Sequence, residues 1–158
     1  MSARVILCAL LLVAAAPAVA AEKIALFGFE FVNTSLEATR PDETARLAAS
    51  GTQAGEMFEK AGFEVVDTAP VAAEMAKIAS IRDCNGCELK LAQELGAAYA
   101  GFGWIQKVSN LILNVNFQVR DATSGVLVAA GTVDIRGNTD ESWRRGVRYL
   151  LDHRILPR

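Results

Sequence analysis

Histidine is almost absent: His153, near the C-terminus, is the only one. One histidine leaves little room for a metal site of several imidazoles or for a catalytic triad, whose other members would have to converge on the C-terminal tail. His153 is expected to be a surface or capping residue. No excess of positive charge is present either. Sixteen Lys and Arg stand against 18 Asp and Glu, for a net charge of -2. A dedicated nucleic-acid binder shows the opposite balance. Proline (4) and glycine (12) are too few for a fibrous or low-complexity chain of 158 residues. With 52% hydrophobic and 22% charged residues, the chain can bury a core and is not a disordered one. No Gly-x-Ser-x-Gly elbow occurs, so a hydrolase of that kind has no support. Gly101-Phe102-Gly103 lies within a strand pattern and lacks the strand-to-helix turn of a dinucleotide site. Those glycines are expected to admit a helix packed close to a sheet. After residue 20 no apolar run reaches the ~20 residues that a membrane span needs.

What is there begins with a leader. Arg4 supplies a positive start, Val5 to Ala16 form an unbroken apolar stretch, and Pro17 interrupts it. Ala18-Val19-Ala20 and Val19-Ala20-Ala21 then both fit a small-x-small cleavage site, so that the mature chain begins at Ala21 or Glu22. Residues 1–20 are expected to be a signal peptide, and residues 21–158 a single exported domain. Cys8 lies inside the apolar stretch without the context of a lipidated cysteine. The location expected is periplasmic or secreted, an oxidising setting.

The mature segment reads as β-α-β-α-α-β-β-β-α. Lys23 to Phe31 is a nearly continuous apolar run, as in a strand covered on both faces. Pro41-Asp42 opens a helix that Gly62 ends. Phe63 to Asp67 forms a second short strand, and Thr68 to about Ile81 a second helix. Glu88 to Leu95 is a third helix, stopped by Gly96, and Tyr99 to Lys107 a third strand. From Leu111 to Arg120 the chain alternates: Leu111, Leu113, Val115, Phe117 and Val119 against Ile112, Asn114, Asn116, Gln118 and Arg120. That period of two means one buried and one wet face. Asp121 to Gly125 is a turn, and Val126 to Ile135 pairs back as a hairpin. Trp143, Val147, Leu150 and Leu151 make one apolar stripe on a last helix. The fold class expected is α/β: one mixed sheet of about five strands, its first part parallel and its last three strands an antiparallel meander.

Three stretches carry a resemblance. Lys23 to Phe31 resembles the opening strand of several bacterial envelope proteins. Ala92 to Gly103 is similar to their helix-to-strand junction, and Asp121-Ala122-Thr123-Ser124-Gly125 to their hairpin turn. The layout resembles the N-terminal domain of TolB and the periplasmic domain of CsgG. It is nearest to small secreted bacterial proteins of a family of unknown function. The resemblance implies an envelope-associated α/β domain used for protein contacts. It brings no catalytic residues. The lipidated cysteine and membrane-inserting hairpins of CsgG have no counterpart here.

The sharpest local motif is Cys84-Asn85-Gly86-Cys87, two cysteines ahead of a helix. Helix amides and dipole favour a thiolate there, whereas Asp83 and Glu88 oppose it. A disulfide staple, an exchange-active dithiol and a metal-binding pair are the three readings. The staple is the ordinary one, and metal is disfavoured because no second cysteine pair or histidine completes four ligands. Glu30, a lone charge in the first strand, is expected half exposed at its end. Two surfaces are candidates for binding. One is the amide-rich face Asn114, Asn116, Gln118 and Arg120, suited to a peptide backbone or a glycan. The other is the arginine cluster Arg144, Arg145 and Arg148. Residues 136–158 hold six arginines and three acids, against nine basic and fifteen acidic residues in 21–135. That division suits an acidic partner or headgroup.

The function expected is a non-enzymatic periplasmic domain that binds an envelope protein, with no cofactor. The alternatives are a thiol-disulfide protein and a small-ligand or glycan binder. The sequence leaves the partner and the oligomeric state open.

Overall fold

A computed structural model describes residues 20–156. The expected leader lies outside this range except for Ala20. Five strands and four helices follow in the order β1 (Lys23–Asn33), α1 (Pro41–Lys60), β2 (Glu64–Val66), α2 (Ala72–Met75), α3 (Cys87–Glu94), β3 (Tyr99–Lys107), β4 (Ile112–Asp121), β5 (Leu127–Arg136) and α4 (Asp140–Leu150). A single 3-10 turn, Ala69–Val71, leads into α2, and a π-helical turn, Leu151–Ile155, extends α4. The strands form one sheet, ordered β2-β1-β3-β4-β5. β1 runs parallel to β2 and β3, and β3, β4 and β5 are antiparallel neighbours. This is the mixed sheet the sequence predicts.

Both faces of the sheet are covered, unequally. On one face α1, α4 and the π turn enclose the larger core, with Phe58, Leu113, Val115, Phe117, Trp143, Val147 and Leu150 buried. On the other face α2, α3 and their connections cover Ala25, Phe27, Ala100 and Phe102, with Val71, Ile81, Leu91 and Ala92 as the lid. The stripe Trp143, Val147, Leu150 and Leu151 is fully buried, as its spacing requires.

β1 departs from simple alternation. Ile24 and Leu26 face the larger core, and so do Phe29 and Phe31. The shift occurs at a bulge between Leu26 and Phe29, where β1 spends one residue more than β3. Gly28, at φ 74°, supplies the left-handed backbone the bulge requires.

Three expectations are corrected. The helix predicted from Thr68 to Ile81 is a 3-10 turn and one turn of α2; the chain after Ala76 is irregular. Its polar groups are taken elsewhere. Asp67 accepts the Ala69 N–H at 2.9 Å, and Glu30 accepts the Ile81 N–H and the Ser80 hydroxyl. Glu30 is half-buried and thus ties this connection to β1. Second, Gly101 and Gly103 do not make room for a helix. A Cβ on them would meet Leu26 at 2.8 Å and Phe29 at 2.3 Å, side chains of the adjacent strand. Close helix approach occurs instead at Gly146 of α4, where a Cβ would lie 2.4 Å from Ile135. Third, Leu111 is exposed at the β3–β4 turn, because β4 begins only at Ile112.

Candidate interaction site

The Cys84-x-x-Cys87 motif closes as a disulfide, with a Cα–Cα distance of 5.6 Å. Asn85 (φ 57°) and Gly86 (φ 96°) take left-handed backbone, which turns the chain tightly into α3. Cys87 is the first residue of α3, and its N–H donates to Cys84 Sγ at 3.2 Å. One residue further, Glu88 is 2% exposed. Its Oε1 accepts from Arg120 Nη1 at 2.7 Å, and its Oε2 lies 3.5 Å from Cys84 Sγ. Arg120 Nε also donates to the carbonyl of Gly125, at 3.0 Å. Gln93 of α3 donates to the carbonyl of Ala122 at 2.6 Å. Disulfide, α3 and the β4–β5 turn are thus one polar-linked unit.

The Asp121 to Gly125 turn explains its own sequence. The Asp121 carboxylate accepts the N–H of Ser124 at 2.7 Å and of Thr123 at 3.1 Å. The Ser124 N–H, with the serine hydroxyl next, holds the Asp121 carboxyl below the usual aspartate range. Gly125 closes the turn at φ 71°. Beyond it Val126, Leu127 and Val128 are 62%, 53% and 55% exposed. They lead into β5, which has β4 on one side and, among the described residues, no neighbouring strand on the other. An unpaired edge with exposed aliphatic residues is a template for a further strand.

The amide-rich face is less open than its sequence implies. Asn116 is only 7% exposed, accepts the Thr132 hydroxyl at 2.6 Å and donates to the Trp104 carbonyl at 3.4 Å. Asn114 is bonded to Asp134 across the strands. Arg120 turns to Glu88, and Gln118 stays half-buried between them. The arginines of α4 all reach the surface. Arg144 pairs with Glu141. Arg145 and Arg148, with Arg136, Tyr149 and His153, line a cleft of about 540 Å³ between α4 and the β5 edge. The rings of Tyr149 and His153 lie 4.4 Å apart, tilted by 42°. A second groove, about 700 Å³, runs between α1 and α4 and includes Arg46, Gln53, Arg144 and Arg148. The two binding surfaces read from the sequence are therefore not adjoining parts of one pocket. The amide row is engaged within the sheet, Arg145 and Arg148 lie beside β5, and Arg144 lines the groove between α1 and α4.

At the far ends of β1 and β3 lies a cluster that sequence reasoning missed. Lys107, at the end of β3, is fully buried and donates to Glu43 at 2.7 Å, with Glu37 at 3.0 Å. Glu43 also accepts from Asn138 at 2.6 Å and from the Arg40 N–H at 2.8 Å. Asn138 in turn accepts from the Trp143 indole at 2.9 Å. Burial pushes the Glu43 carboxyl up, but Lys107, Arg40 and Asn138 outweigh it and hold the carboxyl below the ordinary range. The Glu43 hydrogen bond raises Lys107 in return. The sole hint in sequence is Glu43 three residues after Arg40, the spacing of a helix-start carboxylate.

The arrangement defines an α/β domain with helices on both faces of a mixed five-strand sheet and one long free edge. Residues 22–155 match the DUF3280 family (Protein of unknown function, DUF2380), and the chain belongs to that family. No curated protein matches it. Among solved structures the chain is similar to the PelC dodecamer from Paraburkholderia phytofirmans: 16% identity, TM-score 0.56, over 90% of this chain and 93% of that one. Lipoprotein GNA1162 from Neisseria meningitidis is similar at 14% identity and TM-score 0.57, over 83% and 96%. Escherichia coli LpoB is similar at 11% identity and TM-score 0.53, over 75% and 58%. These likenesses show a shared fold. TolB from Acinetobacter baumannii also matches, at 16% identity and a TM-score of 0.42, over 84% of this chain and 28% of that one. No helix among the described residues is long and apolar enough to cross a membrane.

Proposed function

We propose that the mature chain is an exported, non-enzymatic binding domain of the bacterial envelope that docks a protein partner along β5. The observation that carries this reading is the unpaired β5 edge, continued into exposed Val126, Leu127 and Val128. A partner segment adding there as a sixth strand would satisfy open backbone groups and cover that apolar end. Arg136, Arg145 and Arg148 outnumber Asp134 and Asp152 in the adjoining cleft, a balance that favours an acidic segment. The shared fold supports an assembly role, since one relative is a lipoprotein and another a dodecamer. A second exposed apolar group, Leu36, Val108, Leu111 and Ile112, has no free strand edge beside it except the turn itself. It is therefore the weaker docking surface.

Site-specific photocrosslinking in the native envelope tests this reading. A crosslinker at Val128 is expected to trap one defined partner, and one at Glu56 on α1 to trap none. Equal labelling at both positions, or none at Val128, rejects it. The mass of the adduct separates a second copy of this chain from a different protein.

A second reading, thiol-disulfide exchange at Cys84 and Cys87, is favoured by the Cys87 N–H at 3.2 Å from Cys84 Sγ and opposed by the Glu88 carboxylate beside that sulfur. A reduction potential below about -300 mV would mark a staple, and one of about -120 to -230 mV an exchange centre. The glycan-binding reading draws least support, because Asn114, Asn116 and Arg120 already have partners.

A further inference from the structure

Glu88 Oε2 is the unexplained atom of the molecule. The side chain is almost wholly buried, and Arg120 takes only Oε1. Among the described residues no N–H or hydroxyl reaches Oε2; it faces Cys84 Sγ at 3.5 Å. A disulfide sulfur carries no proton, so this contact is not a hydrogen bond in the oxidised chain. A buried carboxylate oxygen left without a donor is costly.

We propose that, once the disulfide is reduced, Cys84, Cys87 and Glu88 form a site for a thiophilic divalent cation of the zinc class. One atom from each of the three residues lies within 4.8 Å of the others. Zn–S bonds of about 2.3 Å and Zn–O bonds of about 2.0–2.2 Å at a tetrahedral angle put sulfur and oxygen about 3.5 Å apart. Cys84 Sγ and Glu88 Oε2 already stand at 3.5 Å. Only the two sulfurs must part, to about 3.8 Å by the same geometry. The turn fits such a role. The Cys87 N–H, 3.2 Å from Cys84 Sγ, supports a thiolate there. Arg120 holds the other carboxylate oxygen and is itself held by Gly125, the outer shell a ligating carboxylate needs. The charges also close: two thiolates, one carboxylate and Arg120 leave -2, which the cation neutralises. The half-buried sulfurs leave the fourth position to water.

The chemistry balances in two steps. A dithiol reductant gives two electrons and two protons to the Cys84–Cys87 bond, breaks it, and leaves as its own disulfide. The cation then displaces the two thiol protons and bonds both sulfurs and Glu88 Oε2. Reoxidation by a disulfide reverses this: it takes two electrons from the thiolates and two protons from water and leaves as a dithiol, the Cys84–Cys87 bond re-forms and the cation is expelled, so the site exists in one redox state only.

The test uses the purified mature protein, reduced with a phosphine and titrated anaerobically with Zn2+ against a chromophoric chelator. One equivalent is expected to bind the reduced protein and none the oxidised one. Glu88→Gln is expected to weaken binding at least about tenfold, with circular dichroism reporting whether the variant folds. X-ray absorption of the zinc-loaded wild type reads the ligands without any variant. Two sulfurs with oxygen ligands are expected. A sphere of sulfur alone or without sulfur, an unchanged affinity in folded Glu88→Gln, or equal binding by the oxidised protein would overturn the proposal. None of these outcomes bears on docking at β5, so the two readings fail separately.

Discussion

Two buried glutamates, Glu43 and Glu88, sit near opposite ends of the strands and on opposite faces of the sheet. Glu43 is surrounded by donors: Lys107, Asn138 and the Arg40 N–H. Glu88 has one, Arg120, and a sulfur where a second should be. The first environment fixes structure. It fastens the start of α1, the end of β3 and the approach to α4 at one point, and nothing in it is left to bind anything else. The second is incomplete and stands beside a bond that can be opened. A buried charge alone therefore does not mark a functional site; its unfilled valences do.

The comparison breaks most visibly at Lys107. Lys107→Met strands Glu43 in the interior and is expected to cost about 3–5 kcal/mol in urea unfolding. Adding Glu43→Leu should restore most of it, because a matched apolar pair leaves no buried charge. The pH dependence follows from the direction of the Glu43 shift. A carboxyl lowered by folding stabilises above its unfolded value of about 4.3. That contribution is lost as pH falls through the folded value, and denaturation midpoints of wild type and Glu43→Gln should converge there.

At the other glutamate the effects are smaller. Arg120→Met is expected to cost about 2 kcal/mol, since a charge-assisted bond is lost and Glu88 is left unpaired. Replacing Cys84 and Cys87 by serine should cost about 2 kcal/mol, because so short a loop constrains the unfolded chain only modestly. A double-mutant cycle sharpens the contrast. Arg120→Met and the serine pair touch through Glu88 and should be non-additive, whereas Lys107→Met with either should add. The smallest effect on stability belongs to the docking edge. Val126→Lys should change unfolding free energy by less than about 0.5 kcal/mol yet abolish crosslinking from the probe at Val128.

Much of the fold was legible because its signals are local. Alternation from Leu111 to Arg120, correct except at exposed Leu111 and buried Asn116, and the 3.6-residue stripe of α4 each state their period outright. The disulfide was legible as the ordinary outcome for two cysteines so placed. What escaped the sequence is long-range. Lys107 and Glu43 are 64 residues apart, and nothing near Lys107 signals that it will be buried. Residues 76–83 carry helix-friendly alanines and lysine, but Glu30, 51 residues earlier, claims the Ile81 N–H instead. The amide row was read as a free face because β5 had no visible claim on it until Thr132 and Asp134 were placed opposite.

The bulge at Gly28 gives β1 a change of parity. Before it, even-numbered residues point to the larger core; after it, odd-numbered ones do. A strand that obeys one parity can be mispaired by two residues and still bury the right side chains. A strand whose parity changes midway cannot, since any slip against β3 puts the mismatch at a different place and turns either Phe29 or Glu30 the wrong way. One glycine thus acts as a registration mark, and its deletion would invert the meaning of every residue that follows it in the strand.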